Sequence, residues 1–330
     1  MAYNNSTQSG GLGSLKQISR KVIIVQVLIA IFLYLNCLLL TTFFKKDVFR
    51  SSMRYIFFAY TLMSDCMYLM VTDILLLLSF YRIVMQIWLC ILFLIVGTAY
   101  NLIFPLTLTL MTLERYVAIC MPMQHGALCT PRNALHYILI VNAISLLPIS
   151  ISLLIYSASV PVSMLSEDSV CTVEMLIIHR WQSHYWSAII QLYFVIMFVI
   201  VMFCYVQILK AARKASGETK KSSGKGLRTV LLHGFQLLLC LTRLWCPLVE
   251  AAVVQIDLIL FINVRYINYI VFTLAPRCLS SLVYGLRDRR LFVIFKYYAV
   301  FGLSCVLVSR GTSSQQYMGI AQSISLKSNT

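Results

Sequence analysis

The sequence has very few charged residues. They make up 12% of its 330 residues, whereas an ordinary soluble domain has about 25%. Hydrophobic residues account for 60%, so the chain lacks the polar side chains needed to cover a globule in water. This shortage excludes a soluble enzyme, a disordered chain and a fibrous protein. It predicts a protein that crosses a membrane several times.

Acidic residues are scarcer still, with 11 Asp and Glu against 27 Lys and Arg, which gives a net charge of +16. A soluble protein would place such an excess on a face that binds nucleic acid, but this chain has too few polar residues to build that face. Catalytic motifs are missing as well: there is no nucleophile elbow, no Gly-rich phosphate loop and no His/Cys cluster with metal-ligand spacing. We therefore predict no enzyme, no cofactor, no metal site and no nucleic-acid partner.

Long apolar runs are the main feature that is present. Backbone groups inside lipid must bond within their own segment, and no run alternates as a barrel strand would, so we expect helices. The sequence predicts an all-α membrane protein, a seven-transmembrane helix bundle. Its spans 1 to 7 are expected at 22–44, 55–80, 88–113, 134–157, 186–209, 229–256 and 259–284.

Three regions follow from this pattern: an extracellular N-terminus at 1–21, the seven-helix domain at 22–286 and a cytoplasmic region at 287–330. Residues 288–301 are too short to span and suit a short amphipathic helix on the inner leaflet. The Ser-rich tail after it is expected to be disordered. An alternative is that 291–308 inserts as an eighth span, which would place the tail outside.

Lysine and arginine concentrate on one side of the predicted bundle. Counted over alternate loops, 19 lie on the side of the C-terminus and 6 on the side of the N-terminus. Basic loops stay in the cytosol, so we expect the N-terminus outside and the C-terminus inside. Overlapping glycosylation sequons at Asn4 and Asn5 agree with this orientation. The basic loop 210–228 either serves orientation alone or also docks an acidic or membrane-bound partner.

Of the 11 cysteines, only Cys90 and Cys171 are expected outside the membrane on the extracellular side. Paired thiols oxidise in that compartment, so we predict a disulfide that ties the loop 158–185 to the mouth of the bundle. The other nine lie in predicted spans or toward the cytosol, where they suit small apolar filler.

Charged residues inside the spans are few and dispersed. Asp65 and Asp73 in span 2 are about 80° apart around the helix. Arg243 and Glu250 in span 6 share a face but lie about two turns apart, and Arg277 lies in span 7. A proton or ion relay would need chained acids, so a transporter is the less favoured alternative. Three asparagines can bond between helices: Asn36, Asn101 and Asn142.

The most specific motif lies at the inner end of span 3. Met111 to Pro122 reads MTLERYVAICMP, which resembles the rhodopsin-like G-protein-coupled receptors and, among them, the odorant receptors. The runs Thr229–His233 and Gln236–Cys240 resemble the fish-like branch of that family. An acid beside an arginine at a helix end holds the arginine until a partner protein or a shifted helix competes for it. Further matches lie in all the other spans but span 4: Leu35-Asn36, Ser64-Asp65, Phe203–Leu209, Thr229–His233, Trp245-Cys246-Pro247 and Leu282–Arg287.

The sequence departs from the family pattern at two places in the spans. Ser280-Ser281 replaces the Asn-Pro pair before Tyr284, so the usual hinge is lost and Pro276 could supply a displaced kink. Span 4 has Asn142 near the place of the family tryptophan.

The resemblance implies a plasma-membrane receptor that binds a small odorant and activates a heterotrimeric G protein from within the lipid bilayer. It implies an inner switch and a polar centre in the bundle. The switch consists of Glu114, Arg115, Tyr116, Tyr205 and Tyr284, and the polar centre of Asn36, Asp65 and Ser280.

The ligand pocket is placed by counting back from Arg115 by helical turns. Gly97 stands where amine receptors need an aspartate, so we predict a small neutral or weakly polar odorant, or an acid held near an arginine. A non-olfactory receptor of the same fold, for a lipid or a peptide, is the main alternative. The expected pocket residues are Gly97, Thr98, Asn101, Leu102, Ile189, Tyr193, Trp245, Val249, Ala252, Ile270 and Thr273.

Overall fold

A computed structural model of the chain describes residues 3–45, 52–215, 234–235, 238–239, 242 and 245–279. Within these residues, six helices are long and apolar enough to cross a membrane. They confirm spans 1 to 5 and span 7, and they cover Ile18–Phe44, Met53–Phe80, Ile87–Cys120, Pro131–Ser159, His184–Ala211 and Ile259–Leu279. Predicted span 6 lies only partly within the described residues, where Cys246–Val254 is helical.

Several helices run beyond the ends that the sequence predicts. Span 1 is part of the helix Tyr3–Lys45, and span 5 of the helix Arg180–Ala215. Span 3 continues to Cys120, so the prediction that it ends at 113, with Arg115 in the following loop, is wrong. The helix ends only where Pro122 disfavours helical geometry at the residue before it, and Met121 has φ −132° and ψ 56°.

Polar side chains define where two spans begin. Thr130 accepts a hydrogen bond from the backbone N–H of Asn133 at 3.2 Å, and Pro131 follows it as the first residue of span 4. Asp257 accepts from the backbone N–H groups of Ile259 and Leu260 at 3.1 and 3.2 Å, immediately before span 7. These caps satisfy backbone donors that a helix start leaves without partners.

The connections carry short elements that the sequence did not predict. A helix at Pro122–Leu128, here called the loop helix, follows span 3. Strand β1 at Val84–Gln86 pairs antiparallel with strand β2 at Asp168–Val170. Turns of 3₁₀ helix lie on either side of β2, at Val162–Ser166 and Val173–Leu176.

Span 3 forms the centre of the described bundle and packs against spans 2, 4 and 5, while span 1 packs against span 2. The buried threonines of span 3 form hydrogen bonds within their own helix. The hydroxyls of Thr107, Thr109 and Thr112 each donate to a carbonyl one turn earlier at 2.9 Å. Each hydroxyl is thereby satisfied inside an apolar environment.

Proline interrupts the backbone hydrogen bonds of span 4 at Pro148, which leaves the carbonyl of Ile144 without its helical donor. The hydroxyl of Tyr193 in span 5 donates to that carbonyl at 3.2 Å. A side chain of the neighbouring span therefore replaces the missing backbone N–H, as a helix in lipid requires.

Candidate functional site

One end of the bundle, here called the disulfide end, is tied by a covalent bond and by a strand pair. Cys90 at the start of span 3 is bonded to Cys171, with their Cα atoms 5.5 Å apart, which confirms the predicted disulfide. Val84 of β1, in the connection between spans 2 and 3, lies opposite Val170 of β2, in the loop between spans 4 and 5. Since Cys171 follows β2 directly, the loop between spans 4 and 5 is fixed over span 3 by both links.

The middle of the bundle holds a buried ion pair. Nη1 of Arg277 in span 7 lies 2.5 Å from Oδ1 of Asp65 in span 2, and neither side chain is more than 3% exposed. The guanidinium carbon lies 3.8 Å from the ring centroid of Tyr68 and 4.8 Å from that of Phe104. Nη2 also donates to the carbonyl of Tyr100 at 3.4 Å. Arg277 therefore links spans 2, 3 and 7 through charge, hydrogen bonding and cation–π contact.

Sequence reasoning placed Asp65 in a polar centre but did not find Arg277 as its partner. The signal was available, because an arginine inside a span almost always faces an acid or a carbonyl within the bundle. Asn36 is also buried, within hydrogen-bonding reach of the thiol of Cys66 beside Asp65. The third predicted member of this centre, Ser280, lies outside the described residues.

The opposite end, here called the Glu114 end, holds a second set of charges. Glu114 is buried, and its carboxylate lies 3.4 Å from Nε of Arg54 in span 2 and 3.6 Å from Nε2 of His125 in the loop helix. Arg115 is 9% exposed, although arginine is almost never so buried without partners. Glu114 thus connects span 3 with span 2 and with the loop helix.

Aromatic side chains extend this site toward spans 5 and 6. The rings of Tyr116 and Phe203 lie 5.8 Å apart between centroids. A Cβ on Gly234 would lie 3.2 Å from the hydroxyl of Tyr205, so the backbone at Gly234 approaches that tyrosine closely because it has no side chain. Tyr205 is also close enough to Arg115 for their side chains to interact electrostatically.

Cys129 lies just beyond the loop helix and is half-buried. Burial raises the pKa of its thiol, the nearby carboxylate of Glu114 raises it further, and the guanidinium of Arg54 acts in the opposite direction. The thiol is therefore held in its neutral form at neutral pH, which suits packing and not nucleophilic chemistry.

The residues expected to form the ligand pocket occupy different environments, and the pocket stays a prediction. Leu102 and Thr273 are buried, whereas Trp245 is 64% and Val249 47% exposed. A Cβ on Gly97 would lie 3.5 Å from Val71 of span 2, so this glycine faces a packed helix. Ala252 is exposed, and the remaining members are half-buried: Thr98, Asn101, Ile189, Tyr193 and Ile270.

Polar contacts near the disulfide end join spans 1, 2 and 7. The amide of Gln26 donates to the carboxylate of Asp73, and the hydroxyls of Thr72 and Tyr269 lie 3.3 Å apart. Tyr269 begins a π-helical turn, Tyr269–Leu274, a feature that is frequent at functional sites. It directly precedes the segment that carries Pro276 and Arg277.

The carboxylate of Glu250 has a partner on span 7. The amide of Asn268 in span 7 donates to its Oε1 at 3.0 Å. Arg243, with which it shares a helix face in the sequence pattern, lies outside the described residues.

Other predictions also fall beyond what the structure describes. Tyr284 and the expected amphipathic helix 288–301 are outside the described residues, and the basic loop 210–228 is described only to 215. Asn4 and Asn5 belong to the helix that begins at Tyr3, and their glycosylation stays a prediction.

A cavity of about 570 Å³ lies between spans 3 and 4 at the disulfide end. None of its lining residues belongs to the expected ligand pocket. They are Trp88, Ile91, Ser150, Leu153, Leu154, Tyr156, Ser157, Val160 and Leu165.

Membrane-length helices, a charge pair across spans 2 and 7 and a loop tied by a disulfide define a multi-pass helical membrane protein. The family model described as 7 transmembrane receptor (rhodopsin family) matches residues 35–282, and the chain belongs to this family. Its similarity to a curated relative extends over nearly the whole chain. Odorant receptor 131-2 of zebrafish (Danio rerio) is 40% identical over 303 residues, which cover 91% of this chain and 93% of the relative. The predictions of a seven-helix receptor, and of a protein that is not an enzyme, are confirmed by this membership.

Proposed function

We propose that the protein is an odorant receptor of the plasma membrane that binds a small odorant within the helix bundle and activates a heterotrimeric G protein. The observation that carries the proposal is the 40% identity to a zebrafish odorant receptor over 91% of the chain. The Glu114-Arg115-Tyr116 motif at the end of span 3 supports the coupling half of the proposal, because its acid is engaged by two other elements at one end of the bundle.

The proposed orientation places the disulfide end outside and the Glu114 end in the cytosol. Counted by side of the bundle from the sequence, Lys and Arg divide nineteen to six in favour of the Glu114 side. A disulfide persists in an oxidising compartment, and Cys90 and Cys171 lie at the other end from Glu114 along span 3. Charge and redox chemistry therefore favour the same orientation by independent routes.

The proposed coupling surface lies around the loop helix. Met123 is 95% exposed there, and methionine is enriched at the core of protein–protein interfaces. The same helix contributes His125 to the Glu114 cluster. A partner that binds at Met123 would therefore contact the helix whose His125 lies beside the carboxylate that joins spans 2 and 3. By binding one of two conformations of the bundle more tightly than the other, it would shift the equilibrium toward that conformation.

The proposed ligand class is small, neutral or weakly polar. Asp65 and Arg277 neutralise each other in the centre of the bundle, so neither is available to a charged ligand without breaking a buried pair. Gly97 provides no carboxylate in the outer part of span 3. These features favour an uncharged odorant over a cationic amine, and over an acid held by Arg277.

The decisive experiment expresses the full chain in cells with a cyclic-nucleotide reporter and applies a panel of neutral, acidic and cationic odorants. We expect neutral compounds to raise the signal in the wild type and Arg115→Ala to abolish it at equal surface expression. Arg132→Ala, an exposed arginine at the start of span 4, is the matched control and should signal normally. A retained signal in Arg115→Ala, or activation by amines alone, would contradict the proposal.

A further inference from the structure

The cavity between spans 3 and 4 is a groove on the surface of the bundle. Ile91 and Tyr156 form its floor, at 9% and 7% exposure, and both belong to the buried cluster around Cys90 and Cys171. Leu154, on its rim, is 68% exposed. Because seven of its nine lining residues lie on spans 3 and 4 and Leu154 is exposed, the groove opens toward lipid and not toward the interior of the bundle.

Three polar side chains of the groove have already used their hydrogen-bond donors. The hydroxyls of Ser150 and Ser157 donate to backbone carbonyls of their own helix at 2.8 and 3.0 Å. The indole N–H of Trp88 donates to the side chain of Gln86 at 2.6 Å. A ligand in the groove therefore contacts aliphatic and aromatic surface, and these three groups offer it no hydrogen-bond donor. Binding of hydrocarbon is thereby favoured over binding of a polar molecule.

The composition of a bilayer selects the occupant among apolar candidates. A groove on the lipid-facing side of a span is surrounded by acyl chains at very high local concentration, and occupancy follows concentration relative to affinity. A dilute small molecule would have to displace those chains without a polar contact that distinguishes it from them. The groove runs along span 4 from Ser150 to Ser157, about 10 Å at the helical rise of 1.5 Å per residue, so it follows the direction of a lipid chain.

We propose that this groove is a binding site for one acyl chain of a membrane phospholipid. The chain lies along span 4 between Trp88 and Leu154 and covers Ile91 and Tyr156. Since those two side chains belong to the cluster that surrounds the disulfide, the lipid also supports the anchor of the loop over span 3. Leu165 of that loop lines the same groove, so the loop itself contacts the bound chain.

The test uses the full chain in phosphatidylcholine vesicles that contain a phosphatidylcholine with a photoreactive diazirine near the end of one acyl chain. After illumination, labelled peptides are mapped by mass spectrometry. We expect labelling at 88–91 and 150–157 to exceed several-fold the labelling around Leu139 and Leu192, which are 67% and 60% exposed on spans 4 and 5. Uniform labelling of all exposed positions would overturn the proposal.

Two leucines of span 4 provide a matched pair of variants. Leu154→Trp narrows the groove, whereas Leu139→Trp changes an equally exposed leucine outside it, at 68% and 67% exposure. Labelling of the groove should fall several-fold in Leu154→Trp and stay at the wild-type level in Leu139→Trp. Equal labelling in both variants would contradict the site.

Ser150→Phe fills the groove from a second position and keeps the test valid where Leu154→Trp fails to fold. Size-exclusion profiles establish which variants are folded before labelling. Addition of cholesterol distinguishes the lipid classes: undiminished labelling supports an acyl-chain site, and loss of labelling would overturn this assignment in favour of a sterol. The experiment needs neither a known odorant nor a G protein, so its result is independent of the proposed receptor function.

Discussion

The centre of the bundle and its disulfide end achieve stability in different ways. In the centre, Asp65 and Arg277 are buried and form an ion pair across two spans. At the disulfide end, a covalent bond and a short strand pair hold the loop between spans 4 and 5, while the hydroxyls of Ser150 and Ser157 in span 4 bond to their own helix.

This difference shows where the molecule is sensitive to a single change. In lipid, apolar contacts between spans gain no hydrophobic driving force over contacts with acyl chains. An intact buried charge pair contributes little net stability, because the attraction between its charges is largely offset by the cost of burying them. Removal of one partner, in contrast, leaves an uncompensated buried charge. We expect changes in the centre to affect the whole bundle and changes at the disulfide end to act more locally.

The largest effect is expected from Arg277→Met. The variant leaves the carboxylate of Asp65 without its counter-charge, and removal of one partner of a buried ion pair costs about 3–5 kcal/mol. Surface expression in cells and the thermal midpoint of the purified protein should both fall sharply. The double variant with Asp65→Asn should recover much of the loss, because no charge is then left unpaired.

Arg265→Met is the control for this prediction, since Arg265 is exposed on the same span. It should leave expression and the thermal midpoint close to wild type. If Arg265→Met is as damaging as Arg277→Met, the buried pair is not the source of the sensitivity of the centre.

The second effect concerns the disulfide end, through Cys90→Ser combined with Cys171→Ser. Loss of a native disulfide in a small domain typically costs about 2–5 kcal/mol. Here β1 and β2 still pair beside it, so we expect the loop to loosen while the spans stay assembled. Hydrogen exchange should quicken in 160–176 and stay unchanged in span 2. Exchange that quickens equally in both would remove the contrast between the two regions.

A third effect tests the Glu114 end, where charges are less deeply buried than in the centre. Glu114→Gln removes the negative charge that holds Arg54 and His125, and we expect a several-fold rise in signalling without ligand, because the contact between spans 2 and 3 weakens. Arg54→Gln should give a smaller rise, since the side chain of Arg54 is 49% exposed and such pairs contribute about 0–1 kcal/mol. A basal signal that falls in Glu114→Gln would reject this role.

A fourth, smaller effect is expected from Tyr193→Phe. The variant removes the donor to the carbonyl of Ile144 that Pro148 leaves free, and a hydrogen bond between spans contributes about 0.6 kcal/mol on average. The thermal midpoint should fall slightly, and odorant response should be retained if Tyr193 only supports the helix. A lost response at an unchanged midpoint would favour the alternative that Tyr193 contacts the ligand.

The sequence predicted the parts of the fold that depend on composition and on local signals. Apolar runs identified six of the described spans to within a few residues at most ends, and the placement of Cys90 and Cys171 identified the disulfide. The end of span 3 was missed because charged residues suggested a loop, whereas Glu114 and Arg115 are buried within the helix. Hydropathy alone does not distinguish a charge that leaves the membrane from one that finds a partner inside it.

The partners of the charged residues were the part that sequence could not supply. Asp65 and Arg277 are 212 positions apart, and Glu114 meets Arg54 and His125 from two other elements. Such pairs depend on the rotation of each helix about its axis, which packing sets and which no local pattern records. A rule that every arginine inside a span needs an acid would have limited the partners of Arg277 to a few carboxylates.

The smallest effect is chemical and concerns Cys129, next to the Glu114 cluster. Burial and the charge of Glu114 raise the pKa of this thiol, so less thiolate is present near pH 8 and alkylation by iodoacetamide should be slower than for a thiol in water. Glu114→Gln removes one of the two causes that raise the pKa, so alkylation of the peptide containing Cys129 should become faster at the same pH, as followed by mass spectrometry. Glu167→Gln, at the disulfide end, should leave the rate unchanged. An unchanged rate in Glu114→Gln would mean that burial alone controls the thiol, and the Glu114 end would then resemble the disulfide end in acting through packing and not through charge.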